Sequence, residues 1–166
     1  MSTNKTTTNV AVIMGSQSDF STMNNSISIL KELNITHEVM IISAHRTPER
    51  LYTFAKSAEN NGFKVIIAGA GGAAHLPGLV ASLTHIPVIG VPIKSSNLNG
   101  IDSLLSIVQM PKGIPVATMS IGSSGGYNAA IMAASILSLE NDEIRKKLKT
   151  WRKNLSDSVK LTPDIL

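Results

Sequence analysis

Short continuous runs of apolar residues alternate along this chain with longer segments whose apolar positions recur every three or four residues. Continuous runs rich in Val and Ile are typical of strands buried on both faces, and the second spacing is typical of helices. Five strands are predicted, at residues 10–14, 39–42, 65–68, 87–91 and 115–121. The predicted helices lie at residues 20–33, 48–60, 76–83, 100–109 and 127–139, with a basic sixth helix around 144–159. Strands that alternate with helices indicate the α/β class, with a parallel sheet covered on both sides.

The boundaries of the elements support this prediction. Thr47 is placed to cap a helix whose first residue is Pro48, and Asn61 with Gly62 is placed to end it. No internal repeat or low-complexity linker divides the chain. We therefore expect a flexible N-terminus over residues 1–9, a single α/β domain over 10–160 that includes a C-terminal amphipathic helix, and a tail over 161–166.

Nothing in the sequence directs the protein to a membrane. Residues 1–9 (MSTNKTTTN) lack the basic-then-apolar pattern of a secretory signal, and no apolar run approaches the roughly 18 residues of a membrane span. The absence of cysteine fits a reducing compartment and excludes thiol catalysis and thiolate metal sites. We expect a cytoplasmic protein without a membrane partner.

The charge of the chain is sparse and evenly divided. Only 16% of the residues are charged, against an ordinary share of about 25%, which predicts that other subunits cover part of the surface. The net charge of +4 does not indicate nucleic-acid binding, because it is not concentrated in one region. Residues 140–166 hold seven of the 15 basic and five of the 11 acidic residues, so this segment and the rest of the chain each carry a net charge of only +2. Those basic residues surround an apolar helical series, Ile144, Leu148, Trp151, Leu155 and Val159, as on a solvated helix face. Nucleic-acid binding through this helix remains the weakest hypothesis. Such surfaces usually have aromatic residues between the basic ones, and the chain has only one Trp, two Tyr and three Phe.

In an open parallel sheet the ligand lies beyond the carboxyl ends of the strands, near a reversal in strand order, so the segments after the strands are the candidates for function. They are residues 15–19 (GSQSD), 43–47 (SAHRT), 69–78 (GAGGAAHLPG), 94–100 (KSSNLNG) and 122–128 (GSSGGYN). In the first segment, Ser16, Ser18 and the N–H groups of a helix start can hold an anion such as phosphate, although Ser18 or Asp19 can equally serve as a helix cap. This segment is not a Walker A loop, because no Gly-Lys-Ser/Thr follows.

The second segment places His45 beside Arg46 directly after a strand, where neither residue suits a parallel core. A guanidinium group matches phosphate with two hydrogen bonds, and an imidazole exchanges protons near neutral pH. We therefore expect a functional role for this pair.

Other chemistries fit the remaining segments poorly. The Gly-x-Gly-x-x-Ala pattern that starts at Gly69 lacks the acid about 20 residues later that a dinucleotide fold uses, and a formal Gly-x-Ser-x-Gly at 122–126 has no histidine after it to complete a hydrolase triad. The histidines are scattered and no metal-ligand spacing is present, so no metal site is expected. A receiver domain would need an acid at the end of the third strand, where Ala68 stands. A flavodoxin-like binder of a ribonucleotide or flavin phosphate, without chemistry, stays open.

Four motifs follow one another along the chain: residues 14–19 (MGSQSD), 43–48 (SAHRTP), 68–78 (AGAGGAAHLPG) and 109–116 (QMPKGIPV). Taken together, and in this order from Val10 to Trp151, they resemble the N5-carboxyaminoimidazole ribonucleotide mutase family of purine biosynthesis. The resemblance implies a three-layer α/β/α fold of the flavodoxin or Rossmann type, assembled into a homo-octamer. It also implies that the carboxylate on the exocyclic nitrogen of the ribonucleotide moves to C4 of the imidazole without ATP, metal or organic cofactor. The related carboxylase class, which uses free CO2, carries Lys where Arg46 stands, so the mutase class is favoured.

The resemblance also implies roles for individual residues. Ser16, Ser18 and Arg46 would hold the 5′-phosphate and Asp19 the ribose hydroxyls, while His45 would shuttle the proton. The remaining wall of the substrate site would consist of Ser43, Ala70, Gly71, Ala73, His75 and Leu76. The chain departs from the family at Ser123, Ser124, Gly126 and Tyr127, which leaves the part played by that segment open.

Overall fold

The computed structural model describes residues 9–163, which contain five strands and six α-helices. The predicted N-terminal segment 1–9 therefore lies outside the described residues except for Asn9, as does the predicted tail beyond residue 163. The strands are β1 Val10–Met14, β2 His37–Ile41, β3 Val65–Gly71, β4 Val88–Ile93 and β5 Ala117–Thr118. The helices are α1 Phe20–Glu32, α2 Pro48–Ser57, α3 Leu76–Ala81, α4 Ile101–Val108, α5 Ser123–Leu137 and α6 Asp142–Asp157.

All strand pairs are parallel, and the order across the sheet is β2-β1-β3-β4-β5. The side chains of β1 alternate between two apolar cores, because successive residues of a strand point to opposite faces. Val10, Val12 and Met14 join α1, α5 and α6 in one core, and Ala11 and Ile13 join residues of α2, α3 and α4 in the other. The predicted three-layer α/β/α fold and its parallel sheet are confirmed, with the strand order typical of flavodoxin-like proteins.

Two strands differ from the expectation of strands buried on both faces. β2 lies at the edge of the sheet and none of its residues is fully buried, with Val39 and Ile41 each 41% exposed. β5 has two residues instead of seven, and the chain near it contains Pro115, which cannot donate a ladder hydrogen bond. Both strands lie at edges of the sheet, and an apolar run alone does not distinguish an edge strand from a central one. The predicted burial of β2 and the predicted length of β5 were therefore wrong.

The predicted fifth loop is mostly helix. α5 begins at Ser123, so residues 123–128 form its first turns. A Cβ atom at Gly125 would lie 1.7 Å from the carbonyl oxygen of Ser120, and one at Gly126 would lie 2.6 Å from that of Thr22 on α1. The Tyr127 ring packs against Trp151 of α6, with 5.9 Å between ring centroids. Gly126 and Tyr127, which depart from the family pattern, therefore serve helix packing, while Ser123 and Ser124 are exposed.

The C-terminal amphipathic helix is present as α6, and its apolar series is buried only in the first half. Ile144 and Leu148 are buried and Trp151 packs against the same core. Leu155 is 52% exposed, and Val159, which lies beyond the end of the helix, is 74% exposed. Within the described chain, every helix is too short or too polar to cross a bilayer.

We predict that Gly125→Ala destabilises the protein by about 1–3 kcal/mol or more, because the new methyl group overlaps backbone rather than a movable side chain. The adjacent exposed Ser124→Ala is the control, and we expect it to stay within about 0.5 kcal/mol of the wild type. The free energies of unfolding come from urea denaturation followed by circular dichroism. Equal midpoints for the two variants would contradict the packing assigned to this turn.

Candidate active site at the carboxyl ends of the strands

A cavity of about 560 Å³ lies at the carboxyl ends of β1, β2, β3 and β4. It spans the reversal of strand order between β1 and β3, where open parallel sheets bind ligands. All eleven residues that the sequence analysis placed in a site line this one cavity. They are Ser16, Ser18, Asp19, Ser43, His45, Arg46, Ala70, Gly71, Ala73, His75 and Leu76.

The segment after β1 is a capping box. Ser16 caps a short 3-10 turn at Gln17–Asp19 that leads into α1, and its side chain accepts a hydrogen bond from the N–H of Ser18 at 3.4 Å. In return, the N–H of Ser16 donates to Oδ2 of Asp19 at 3.1 Å. The hydroxyl of Ser18 donates to that of Ser16 at 3.1 Å, which brings both serine oxygens to the same wall of the cavity. Helix capping and anion binding are therefore compatible in this segment.

Asp19 is a buried carboxylate, with 8% of the residue exposed. Burial raises its pKa above the ordinary value of 3.8, because the charged form loses solvation. The hydrogen bonds from Ser16 and Ser18, the N–H of Gly15 and the positive charge of Arg46 offset part of this increase in pKa. A buried carboxylate with remaining lone pairs is a strong acceptor for ligand hydroxyl groups.

Thr47, the N-cap residue of α2, holds the segment after β2 through its hydroxyl group. The Thr47 hydroxyl donates to the carbonyl oxygen of Ser43 at 2.9 Å and accepts from the Ser43 N–H at 3.0 Å. No side-chain bond caps α2, which ends at Ser57 instead of residue 60. The predicted N-cap position and the helix start at Pro48 are confirmed, but the Thr47 hydroxyl does not bond the helix and instead closes the tight turn that carries His45 and Arg46.

Arg46 reaches across to the neighbouring strand end. Its Nε donates to the hydroxyl of Ser43 at 3.2 Å, and a terminal nitrogen donates to the carbonyl oxygen of Gly15 at 3.4 Å. These two bonds hold the guanidinium group beside the Ser16–Ser18 wall and leave its other N–H groups available to a ligand. The cationic fork and the two serine hydroxyls form a typical phosphate-binding arrangement.

His45 and His75 form a direct hydrogen bond, with 2.7 Å between Nε2 of His45 and Nδ1 of His75. The rings meet edge to face, with centroids 4.9 Å apart and an interplanar angle of 81°. One of the two facing nitrogens must donate and the other must accept, so a single proton lies between them. Both residues are exposed to the cavity, where the pair can give a proton to a ligand or take one from it.

Small residues after β3 form the floor of the cavity. β3 extends to Gly71, three residues beyond its predicted end. The next residue, Gly72, has a φ of +66°, and its N–H donates to the buried hydroxyl of Ser103 at 2.9 Å. Ser103 in turn donates to the carbonyl oxygen of Ile93 at 2.7 Å, which ties this floor to the end of β4.

Sequence reasoning missed this support and one further wall. Ser103 and Ser106 both bond the backbone of Gly72, and the detectable signal was two serines three positions apart in a largely apolar helix. The end of β4 closes the cavity on the side opposite β2, through Lys94, Ser95 and neighbouring residues. That segment was among the candidates, but no role was assigned to it.

The alternatives considered from sequence find little support in this geometry. Ser124 of the formal hydrolase motif is an exposed residue of α5 beside a different cavity, which no histidine lines among its described walls. Within residues 9–163, no three His, Asp or Glu side chains converge as metal ligands do.

Comparison with known proteins agrees with the resemblance read from the four motifs. The family model described as AIR carboxylase matches residues 9–158, almost the whole chain. The chain belongs to the AIR carboxylase family. The match covers every strand, every α-helix and every wall of the cavity.

Curated relatives in this family carry the name N5-carboxyaminoimidazole ribonucleotide mutase. The protein of Escherichia coli K12 is 53% identical over 99% of this chain and 97% of its own length. The protein of Thermotoga maritima is 56% identical over 90% of this chain and 86% of its own length. The crystal structure of Treponema denticola PurE superposes with a TM-score of 0.80 at 30% identity, covering 89% of this chain and 91% of that chain.

We predict that Asp19→Asn raises the melting temperature of the free protein at pH 7 while it weakens ligand binding. Because the folded-state pKa lies above 3.8, the Asp19 contribution to stability is lost as the pH rises from 3.8 through the folded pKa. Asn keeps an acceptor for the N–H of Ser16 and carries no buried charge, so its advantage should shrink as the pH falls towards 3.8.

Calorimetric scans of the wild type, Asp19→Asn and the exposed control Glu59→Gln between pH 4 and pH 8 measure this effect. A melting temperature of Asp19→Asn below that of the wild type at pH 7 would show that the carboxylate is a net stabilising group.

Proposed function

We propose that the protein is an N5-carboxyaminoimidazole ribonucleotide mutase, an isomerase of de novo purine biosynthesis. The observation that carries the proposal is the combination, in one cavity, of a phosphate-binding wall with a hydrogen-bonded histidine pair. Relatives more than 50% identical over nearly the whole chain carry this activity in their names. Arg46 stands where the related carboxylase class carries Lys, which favours the mutase over the carboxylase.

The ribonucleotide binds with its phosphate at the ends of β1 and β2. Ser16, Ser18 and Arg46 hold the phosphate, because their hydroxyl and N–H groups converge on one wall. Asp19, buried behind the serines, accepts hydrogen bonds from the ribose hydroxyls. This orientation directs the imidazole ring of the substrate across β3, towards His45 and the glycine-rich floor.

The reaction proceeds through release and recapture of CO2. The bond between the exocyclic nitrogen and the carboxylate breaks, its electron pair stays on nitrogen, and protonated His45 supplies the proton that makes the amine. C4 of the ring then attacks CO2, and neutral His45 removes the proton from C4. The histidine ends in its starting protonation state, so the isomerisation needs no cofactor or metal.

His75 positions His45 in this proposal. The 2.7 Å bond between them fixes the imidazole orientation and gives the proton a second nitrogen on which to rest. Leu76 forms part of the wall beside the histidines. Ser43, Ala70, Gly71 and Ala73 leave space for CO2 against the backbone, where N–H groups can face the carboxylate.

The active species is a homo-oligomer in this proposal, and the family resemblance implies an octamer. In the single chain His45, Arg46 and His75 are exposed, so a cover is needed to keep CO2 from escaping. On α4, the helix whose Ser103 holds the cavity floor, an apolar stripe is about half exposed: Ile101 at 52%, Leu105 at 53% and Val108 at 48%. A second copy that buries this stripe would account for the sparse surface charge.

The reaction is assigned to the cytoplasm, as the cysteine-free composition suggests.

The test is an isomerisation assay with purified protein. We expect N5-carboxyaminoimidazole ribonucleotide and its C4-carboxylated isomer to reach equilibrium from either side, without ATP and at a rate independent of added bicarbonate. A rate that requires bicarbonate and aminoimidazole ribonucleotide would indicate a carboxylase instead. Stabilisation by the nucleotide without turnover would indicate a binding module.

We predict that His45→Asn lowers kcat by about 10²–10⁴-fold, the usual contribution of general acid–base catalysis, while nucleotide binding persists. The matched control is His37→Asn, because His37 lies outside the cavity and bonds the carbonyl oxygen of Ile35 at 2.8 Å. Steady-state rates and calorimetric dissociation constants for both variants separate chemistry from binding. If His45→Asn kept a kcat within a few-fold of the wild type, His45 would lose its assigned role.

A further inference from the structure

The wall of the cavity at the end of β4 carries a cation that the mechanism above does not use. Lys94 follows β4 directly, lines the cavity and is exposed to it. The two salt bridges found within residues 9–163 both lie on α6, and Lys94 has no ion-pair or hydrogen-bond partner among these residues. Its ammonium group is therefore available to a ligand.

Lys94 stands on the opposite side of the cavity from Arg46. The sheet order places three inter-strand steps between β2 and β4, a separation of about 14 Å at the usual spacing of about 4.8 Å. Arg46 is held at the β1–β2 side by its bonds to Ser43 and Gly15. The cavity therefore has a basic side chain at each side, with the histidine pair and the glycine-rich floor also among its walls.

The backbone around Lys94 is tightly constrained. The hydroxyl of Ser95 donates to Oδ1 of Asp102 at 2.6 Å and accepts from the N–H of Gly100 at 3.1 Å. Gly100 has a φ of +90°, and a Cβ atom there would lie 3.2 Å from the Cα of Lys94. These contacts close the loop from 95 to 100 against the strand end, so the position of the lysine backbone is set before a ligand arrives.

We infer that Lys94 is the counter-ion of the migrating carboxylate. The inference rests on the proposed function, in which the substrate has two anionic groups at opposite ends, a phosphate and a carboxylate. Two cations on opposite sides of the cavity complement these two charges, and Arg46 already lies at the phosphate end. Lys94 thereby discriminates the carboxylated ribonucleotides from aminoimidazole ribonucleotide, which lacks the carboxylate.

This role makes a distinctive kinetic prediction. Lys94 attracts the carboxylate of the bound substrate and product, whereas the CO2 that forms between them is neutral. The ammonium group therefore stabilises the ground states more than the transition state that leads to CO2. Loss of the lysine should raise KM without lowering kcat.

The experiment compares Lys94→Gln, Lys94→Arg and the control Lys149→Gln, which removes an exposed lysine of α6 outside the cavity. Calorimetry measures the binding of the C4-carboxylated ribonucleotide and of aminoimidazole ribonucleotide to each, and steady-state assays measure KM and kcat. We expect Lys94→Gln to weaken binding of the carboxylated ligand about 10-fold, as loss of a charge-assisted hydrogen bond does, and to leave the uncarboxylated ligand within about two-fold. Lys94→Arg should restore most of the affinity, and Lys149→Gln should match the wild type.

Equal losses for both ligands, or no loss for either, would overturn the inference, as would a lower kcat at unchanged KM. The same measurements distinguish failure of the proposed mutase activity from failure of the proposed role of Lys94. A wild type that does not isomerise its substrate, yet binds the carboxylated ligand through Lys94, would refute the mutase and keep the counter-ion. An active wild type whose Lys94→Gln variant binds both ligands normally would refute the counter-ion alone.

Discussion

The pairing of β1 with β2 on one side and β3 on the other is the constraint on which the site depends. Met14, the last residue of β1, pairs with Ile41 and with Gly69, so the three strands reach the same edge of the sheet together. The N–H of Gly15 then donates to the carbonyl oxygen of Gly69 at 3.3 Å, which continues the contact one residue into the loop. Because of this register, residues far apart in sequence share one cavity, with Ser16, Ser18 and Arg46 among its walls together with the His45–His75 pair.

Short side chains then hold each loop at this edge of the sheet. Thr47 fixes the turn of His45, Ser16 with Asp19 fixes the turn after β1, and Ser103 fixes the glycine-rich floor. These bonds fix the loop backbones, so the side chains of His45 and Arg46 are presented to the cavity in set positions, as a ligand site requires. Asp19 shows the energetic cost, since its burial raises the pKa of a carboxylate that the proposed function needs in the charged form.

The sequence predicted the parts of the site whose residue types conflict with a buried parallel sheet. His45 and Arg46 were recognisable because neither suits a strand end in the core, and the glycine-rich segment because so few side chains leave room for a ligand. No role was assigned to Lys94 from sequence, because its place in the cavity wall depends on β4 lying next to β3, which no local pattern encodes. The edge position of β2 and the start of α5 at Ser123 were missed for the same reason, since tertiary packing decides both.

In the proposed reaction, CO2 leaves one atom of the substrate and is recaptured by another within the same cavity. Substrate labelled with ¹³C in the carboxylate on its exocyclic nitrogen tests this directly, with the protein in unlabelled bicarbonate buffer and the product followed by ¹³C NMR. We expect the C4 carboxylate to carry the label at nearly the enrichment of the starting carboxylate throughout the early turnovers. Product whose carboxylate has the isotopic composition of the buffer would contradict it, because the CO2 would then have escaped and been replaced from solution.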